Sequence, residues 1–231
     1  MKLGEYELNQ IYTGDARELA KGIPDESVDL IHTDPPYPKE FLYVWHDLAE
    51  FASRVLKQGG SLITLCGHYQ VPHVIHELTS FGLRYHWIGW LINREKPTSM
   101  AFRTVRGGKP FIWFAKGQPI IKHGFFWDTK SGSRDKRFHE WGQPIGYVTQ
   151  DLQVLTVASD IVLDPFTGGG NVLEACKLLH RNFIGFEIDS ETAKVARNRL
   201  QELPEMLPFL HPDSYQGRLF DGMESATEHK T

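Results

Sequence analysis

The chain reads as an α/β protein with a mostly parallel sheet covered by helices on both faces, and three observations predict it. Apolar runs of strand length alternate with stretches of helical period from residue 7 to residue 202. The run at residues 28–33, with Val28, Leu30 and Ile31, reads as a strand of the buried type. Two tight turns, Asp34-Pro35-Pro36-Tyr37 and Phe166-Thr167-Gly168-Gly169-Gly170, each follow directly on such a run. In a sheet of this kind the chemistry belongs at the carboxyl ends of the strands.

Taken in order, residues 7–13 alternate loosely and end at Gly14-Asp15, which predicts a short strand presenting Asp15, with a helical turn or two after it. Residues 28–33 form the second strand. Over 40–57 the apolar residues Phe41, Leu42, Val44, Trp45, Leu48, Phe51, Ala52, Val55 and Leu56 recur at helical spacing, and Gly59-Gly60 predicts the stop. Strand 61–66, helix 70–80, the aromatic strand 82–93 and a further strand at 109–115 follow. Residues 116–142 show no clear period and are rich in Gly, Lys, Arg and aromatics, so they read as an irregular loop or short insert. A helix at 145–157, a strand at 161–163, the glycine turn, a helix at 171–180, a strand at 182–187 and a helix at 190–202 complete the pattern. From Pro204 three prolines and mostly polar residues predict a poorly ordered tail, so the expectation is a single domain over 1–203 and a tail over 204–231.

Composition sets limits on function. With 231 residues, 41% of them hydrophobic, the chain is long enough for one well-buried domain and short for two. Its two cysteines, Cys66 and Cys176, form no framework and predict buried free thiols of a reducing compartment. Residues 1–9 lack the marks of a leader, and no stretch nears 18 apolar residues, so a cytoplasmic protein with no membrane partner is expected. His68, His73 and His76 lack cysteine partners or a His-Glu-x-x-His pattern, and no metal is predicted.

The net charge of −4 hides a segregation: residues 94–139 hold 11 Lys+Arg against 3 Asp+Glu, a net +8, while the remainder carries −12. A solvated face is the bland explanation. A surface that tracks phosphates is the functional one, with Arg94, Lys96, Arg103, Arg106, Lys109, Lys122, Lys130, Arg134, Lys136 and Arg137 as candidates among the aromatics Phe102, Phe125, Phe126, Trp127, Phe138 and Trp141.

An aromatic amine is a poor nucleophile because its lone pair is delocalised into the ring. Asp34 and the Pro35 carbonyl, in a turn stiffened by Pro35 and Pro36, are suited to accept the two amino hydrogens and localise that pair, while Tyr37 offers a face on which an extruded base stacks. In the second turn, glycines at 168 and 170 let a ligand approach the backbone at a helix N-terminus. Glu187, 17 residues after Gly170, is placed to accept from ribose hydroxyls. Position 173 is Leu173 where a dinucleotide fingerprint needs glycine, so an adenosine cofactor of another kind is indicated.

On these strings the chain resembles the beta-group amino methyltransferases of DNA, the permuted class in which the catalytic tetrad precedes the S-adenosylmethionine turn. The resemblance spans about residues 8–200 and rests on Gly14-Asp15, 28–37, 54–63, 162–170 and 181–189. It implies a Rossmann-like methyltransferase fold with circularly permuted motif order, S-adenosylmethionine as cofactor, double-stranded DNA as partner, and transfer to adenine N6, since Asp at the first tetrad position is more usual for adenine and Ser or Thr for cytosine N4. By the same resemblance Asp15 contacts the cofactor adenine, Phe166 packs beside it with Pro165, Glu187 holds the ribose and Asp164 lies near the methionine end. Two departures stand out: Gln143 replaces a lysine in His139-Glu140-Trp141-Gly142-Gln143-Pro144, which bears on the methionine carboxylate, and the insert is far shorter than a typical target-recognition domain, which implies short or relaxed selectivity. Transfer to cytosine N4, and less readily an enzyme acting on RNA or protein amides or a non-catalytic DNA-binding module, remain open, as do a homodimer and a cognate restriction endonuclease.

Overall fold

A computed structural model of the chain describes residues 1–92, 99–101, 104–131 and 145–203. Lys2–Leu3 (β1) and Tyr6–Glu7 (β2) pair as a small antiparallel ribbon before Gln10–Thr13 (β3). The single strand expected over 7–13 is therefore broken. Asn9 takes a left-handed φ of 64° and its side chain accepts from the Phe183 N–H at 3.0 Å, which turns the chain into the main sheet.

Ala16–Ala20 (α1) leads to Val28–Thr33 (β4), then to Tyr43–Val55 (α2), Leu56–Leu65 (β5), Val71–Ser80 (α3) and Arg84–Ile92 (β6). A second small ribbon, Ser99–Ala101 (β7) with Thr104–Arg106 (β8), precedes Gly108–Ala115 (β9) and Thr129–Ser131 (β10). Ile145–Leu155 (α4), Ile161–Asp164 (β11), Asn171–Leu178 (α5), Asn182–Glu187 (β12) and Ser190–Glu202 (α6) close the described chain. The tail expected over 204–231 lies outside the described residues.

Two corrections concern turns. Gly59-Gly60 does not stop the preceding helix. α2 passes at Leu56 straight into β5, and the glycine pair sits inside that strand, where Gly59 has φ +80° and the register against β4 shifts. The stretch 116–142 is also not wholly irregular, because Thr129–Ser131 adds a short parallel strand beside β6.

Eight strands form the main sheet in the order β10-β6-β9-β5-β4-β11-β12-β3. All neighbours run parallel except around β9, which is antiparallel to both β5 and β6. Strand alternation divides the core into two faces. Ile31, Leu62, Ile112, Leu163 and Ile184 point to the side of α2 and α3, against Trp45, Leu48, Phe51, Val74 and Leu78. Their neighbours Leu30, Ile63, Phe111, Val162 and Phe183 point to the side of α4, α5 and α6, against Val148, Leu152, Leu173, Ala193 and Ala196. Cys66 and Cys176 are buried free thiols, one on each side, and burial pushes the Cys66 thiol up to about 12. Among the described residues no helix is long and apolar enough to cross a membrane.

Candidate active site

β4 and β11 lie side by side in parallel in the middle of the sheet, so the two turns suspected from sequence leave it at the same, carboxyl end. The strand ends are tied: Thr33 Oγ1 donates to Asp164 Oδ1 at 2.8 Å in a fully buried contact. The Phe166 N–H donates to the same oxygen at 3.2 Å. Burial nonetheless dominates and pushes the Asp164 carboxyl up to about 7.

The tetrad is held from several directions. Gln70 Nε2, at the start of α3, donates to the Tyr37 carbonyl at 2.8 Å, and the Tyr37 hydroxyl donates to Asp34 Oδ1. From the beginning of β9, Lys109 Nζ donates to Asp34 Oδ1 at 3.0 Å and Oδ2 at 2.7 Å, and lies 4.3 Å from the centroid of the Tyr37 ring. Lys109, expected on phosphate, is instead a neighbour of the tetrad.

At the glycine turn, Glu187 receives the Gly168 N–H on Oε2 at 2.8 Å and the Asp189 N–H on Oε1 at 2.9 Å. This fixes the carboxylate beside the turn while leaving each oxygen further acceptor capacity. Gly170 corrects its expectation. It has φ +85° at the N-cap of α5, and a Cβ there would meet the Ala196 Cβ of α6 at 3.3 Å, so its lack of a side chain serves the turn and helix packing. Arg199 of α6 braces the turn by donating to the Gly169 carbonyl at 2.9 Å and pairing with buried Glu174.

One cavity of about 350 Å³ joins these parts. Asp34 and Pro36 line one side; Pro165, Phe166, Gly168 and Glu187 another; Gly14 and Asp15 a third. Asp164 lies buried beneath it, and Pro35, Tyr37 and Gly170 are not among its walls. Sequence reasoning missed the contribution of α1 and α2: Arg17, Tyr43, Asp47 and Phe51 also line the cavity. Asp47, set between Val44 and Phe51 on the apolar stripe of α2, was the readable signal, since a carboxylate on a buried face wants a reason. Burial raises its pKa, whereas the Arg17 guanidinium, 2.9 Å from Asp15, holds the Asp15 carboxyl below the usual range. Arg17 Nε also lies 3.4 Å from Asp47.

The charge of the walls narrows the ligand. Four carboxylates, Asp15, Asp34, Asp47 and Glu187, line the cavity with the Arg17 guanidinium, and the Lys109 ammonium pairs with Asp34, so negative charge remains in excess. Such a cavity repels di- and triphosphates and favours a nucleoside bearing positive charge. Among the described residues no cluster suited to a metal ion occurs.

The basic candidates divide. Lys130 is 2% exposed, paired with Asp151 and set 4.0 and 4.2 Å over the rings of Phe111 and Phe126, so it is a buried cation and not a phosphate contact. Asp151 in turn receives His32 Nε2 at 3.1 Å. Burial lowers the Lys130 pKa, and Asp151 opposes the shift. Lys122 faces Asp160 at 3.7 Å. Arg106 ends β8. Arg94, Lys96, Phe102, Arg103, Arg134, Lys136, Arg137, Phe138, Trp141 and the string 139–144 lie outside the described residues.

Comparison with known proteins agrees with this geometry. A family model described as DNA methylase matches residues 123–198. The type II methyltransferase M.BglII of Bacillus subtilis is 27% identical over 86% of this chain and 70% of its own length. M.BamHI of Bacillus amyloliquefaciens is 26% identical over 84% of this chain, which spans only 57% of that longer relative. Among solved structures, the M1.HpyAVI–SAM complex aligns with TM-score 0.69 and 24% identity, covering 83% of this chain and 98% of that one. The cytosine-N4-specific PvuII DNA methyltransferase aligns with TM-score 0.73 and 19% identity over 84% and 88%. Sheet, motif order and sequence relatives converge: the chain resembles the S-adenosylmethionine-dependent N6/N4 amino methyltransferases of DNA, in the family model over residues 123–198 and in its type II methyltransferase relatives over most of its length.

Proposed function

We propose that this chain transfers a methyl group from S-adenosylmethionine to the exocyclic N6 of an adenine flipped out of duplex DNA. The observation that carries the reading is the shared acid-lined cavity: Asp34 and Pro36 of the tetrad and Phe166 and Gly168 of the glycine turn line one space. S-adenosylmethionine, when bound, supplies a methyl group already activated on a sulfonium. The residues present fit it, because an acidic cavity suits a cationic nucleoside and Glu187 retains acceptor capacity for ribose hydroxyls. Asp15 and Phe166 would flank the adenine, with Pro165 and Gly168 shaping the wall and Asp164 beneath.

Asp34 and the Pro35 carbonyl accept the hydrogens of the base amine and aim its lone pair toward the cavity. Tyr37 supplies the stacking face and, through its hydroxyl, orients Asp34. Positioning is the main contribution, typically worth up to about 7–11 kcal/mol. No metal is needed for an attack on an activated methyl.

Adenine is preferred over cytosine N4 because the tetrad begins with Asp34. The cytosine reading keeps a specific support, the likeness of fold to the PvuII enzyme. Lys96, Arg103, Arg106, Arg134, Lys136 and Arg137 are proposed to contact DNA phosphates. The type II names of the relatives suggest a cognate restriction endonuclease. Purified chain with labelled S-adenosylmethionine and separate DNA, RNA and protein acceptors tests the class. Long-read sequencing of DNA from expressing cells reports base and context. Label in RNA or protein alone, or modified cytosine, would overturn the reading.

A further inference from the structure

The approach of Lys109 to the tetrad uses a residue that no tetrad motif includes. Its ammonium is a charged donor held 2.7 Å from Asp34 Oδ2, so donor and acceptor stand side by side at the tetrad, where Asp34 lines the cavity. The Lys109 side chain is 25% exposed and that of Asp34 is 31% exposed, open enough for a ligand to reach both.

A flipped base is read on its Watson–Crick edge. Adenine presents there an amino donor, N6, beside a ring acceptor, N1; cytosine presents the same order with N4 and N3. Guanine and thymine present the reverse, an oxo acceptor beside a ring N–H donor. An acceptor–donor couple made of Asp34 and Lys109 complements the first two and opposes the last two, placing donor against donor and acceptor against acceptor.

Resting on the methyl-transfer reading above, we infer that Lys109 is a base-reading residue: its ammonium donates to the ring nitrogen beside the target amine while Asp34 accepts from the amine, so the pair selects amino bases and rejects oxo bases. Lys109 stands over Tyr37, the ring on which the proposed reading stacks the base. Its flexible stem lets the ammonium slide from the face of the ring to the edge of the incoming base without leaving the carboxylate. The two amino bases share one edge pattern, so this pair explains the choice of amine and leaves adenine against cytosine to the size of the site.

The test is atomic replacement on the base. Duplexes carrying the target adenine, or 1-deazaadenine with C–H in place of N1, are offered to the native chain, Lys109→Met and Lys109→Arg, and kcat/KM is measured; if the modified base is cytosine, 3-deazacytosine takes the place of 1-deazaadenine. The native chain is expected to lose roughly 10- to 100-fold on the deaza base, the value of a hydrogen bond from a charged donor. Lys109→Met should lose a similar factor on the normal base and show little further loss on the deaza base, whereas Lys109→Arg keeps the discrimination. Because the deaza ring also alters the amine itself, it is the collapse of the ratio in Lys109→Met that supports the inference. Calorimetric binding of S-adenosylmethionine should be the same for all three chains, which a merely structural role of Lys109 would not predict. An equal ratio in native and Lys109→Met chains would overturn the inference, and so would a native chain indifferent to the deaza base, a result that needs no variant to fold. No transfer to the unmodified duplex by the native chain would overturn the functional reading and this inference with it.

Discussion

Two carboxylates 130 positions apart in sequence do opposite work although a single Thr33–Asp164 contact separates their strands. Asp34 is solvated, paired and open to the cavity, while Asp164 is sealed under it with its carboxyl pushed up to about 7. Replacement of Asp34 by Ala should lower methyl transfer by roughly 10²–10³-fold or more, as expected when a polar group that stabilises the reacting centre is removed. Calorimetric affinity for S-adenosylmethionine should survive, whereas Glu187→Ala should weaken that affinity roughly 10-fold or more and leave a DNA gel shift in place. Loss of fold in Asp34→Ala would make Asp34 structural. For Asp164 the sign follows from its raised pKa. The folded chain holds this proton more tightly than the unfolded one, so stability falls as pH rises from near 4 through about 7. Asp164→Asn keeps an acceptor for Thr33 and removes the titration. Its melting temperature should exceed that of the native chain at pH 8 by about 3–6 °C, an effect of about 1–2 kcal/mol, and the gain should shrink on acidification and vanish near pH 4.

At the scale of elements, what was legible depended on range along the chain. The helices α3, α5 and α6 and the strands β4, β9, β11 and β12 were readable because local periodicity and turn residues agree with the burial each receives. The tetrad and the glycine turn were readable because each is one strand end and the few residues after it. Lys109 beside Asp34, Arg17 beside Asp47 and Lys130 beside Asp151 were not, because each pairing is made by sheet order and helix packing that no local spacing encodes. Lys130 shows the cost of reading charge as surface: in a basic stretch it looked like a phosphate contact, but β10 carries it under α4 to Asp151 and His32. Lys130→Met leaves Asp151 buried beside His32 alone, and should destabilise the fold by about 3–5 kcal/mol in chemical denaturation. Adding Asp151→Leu should recover most of the loss, since replacing both partners removes the stranded charge; a double variant no more stable than the single one would show that packing, and not charge, holds β10.

For the whole molecule, the proposed reading assigns the meeting with DNA to the separation of charge. The acidic cavity is unsuited to the phosphate backbone, so on that reading attraction comes from the basic stretch between residues 94 and 139. Affinity for duplex DNA should fall steeply with salt, and replacing Arg134, Lys136 and Arg137 together by Gln should reduce the log–log salt slope by about 2–3, with little change in S-adenosylmethionine affinity. An unchanged slope would place the contacts elsewhere.

The clasp between Thr33 and Asp164 has one more consequence. The two turns that, on the proposed reading, would hold base and cofactor leave adjoining strands fastened at their tips, so the spacing between them is fixed when the polypeptide folds and not when ligands arrive. Either ligand should then find its half of the machinery ready without the other, and occupancy of one should leave the grip on the second nearly unchanged.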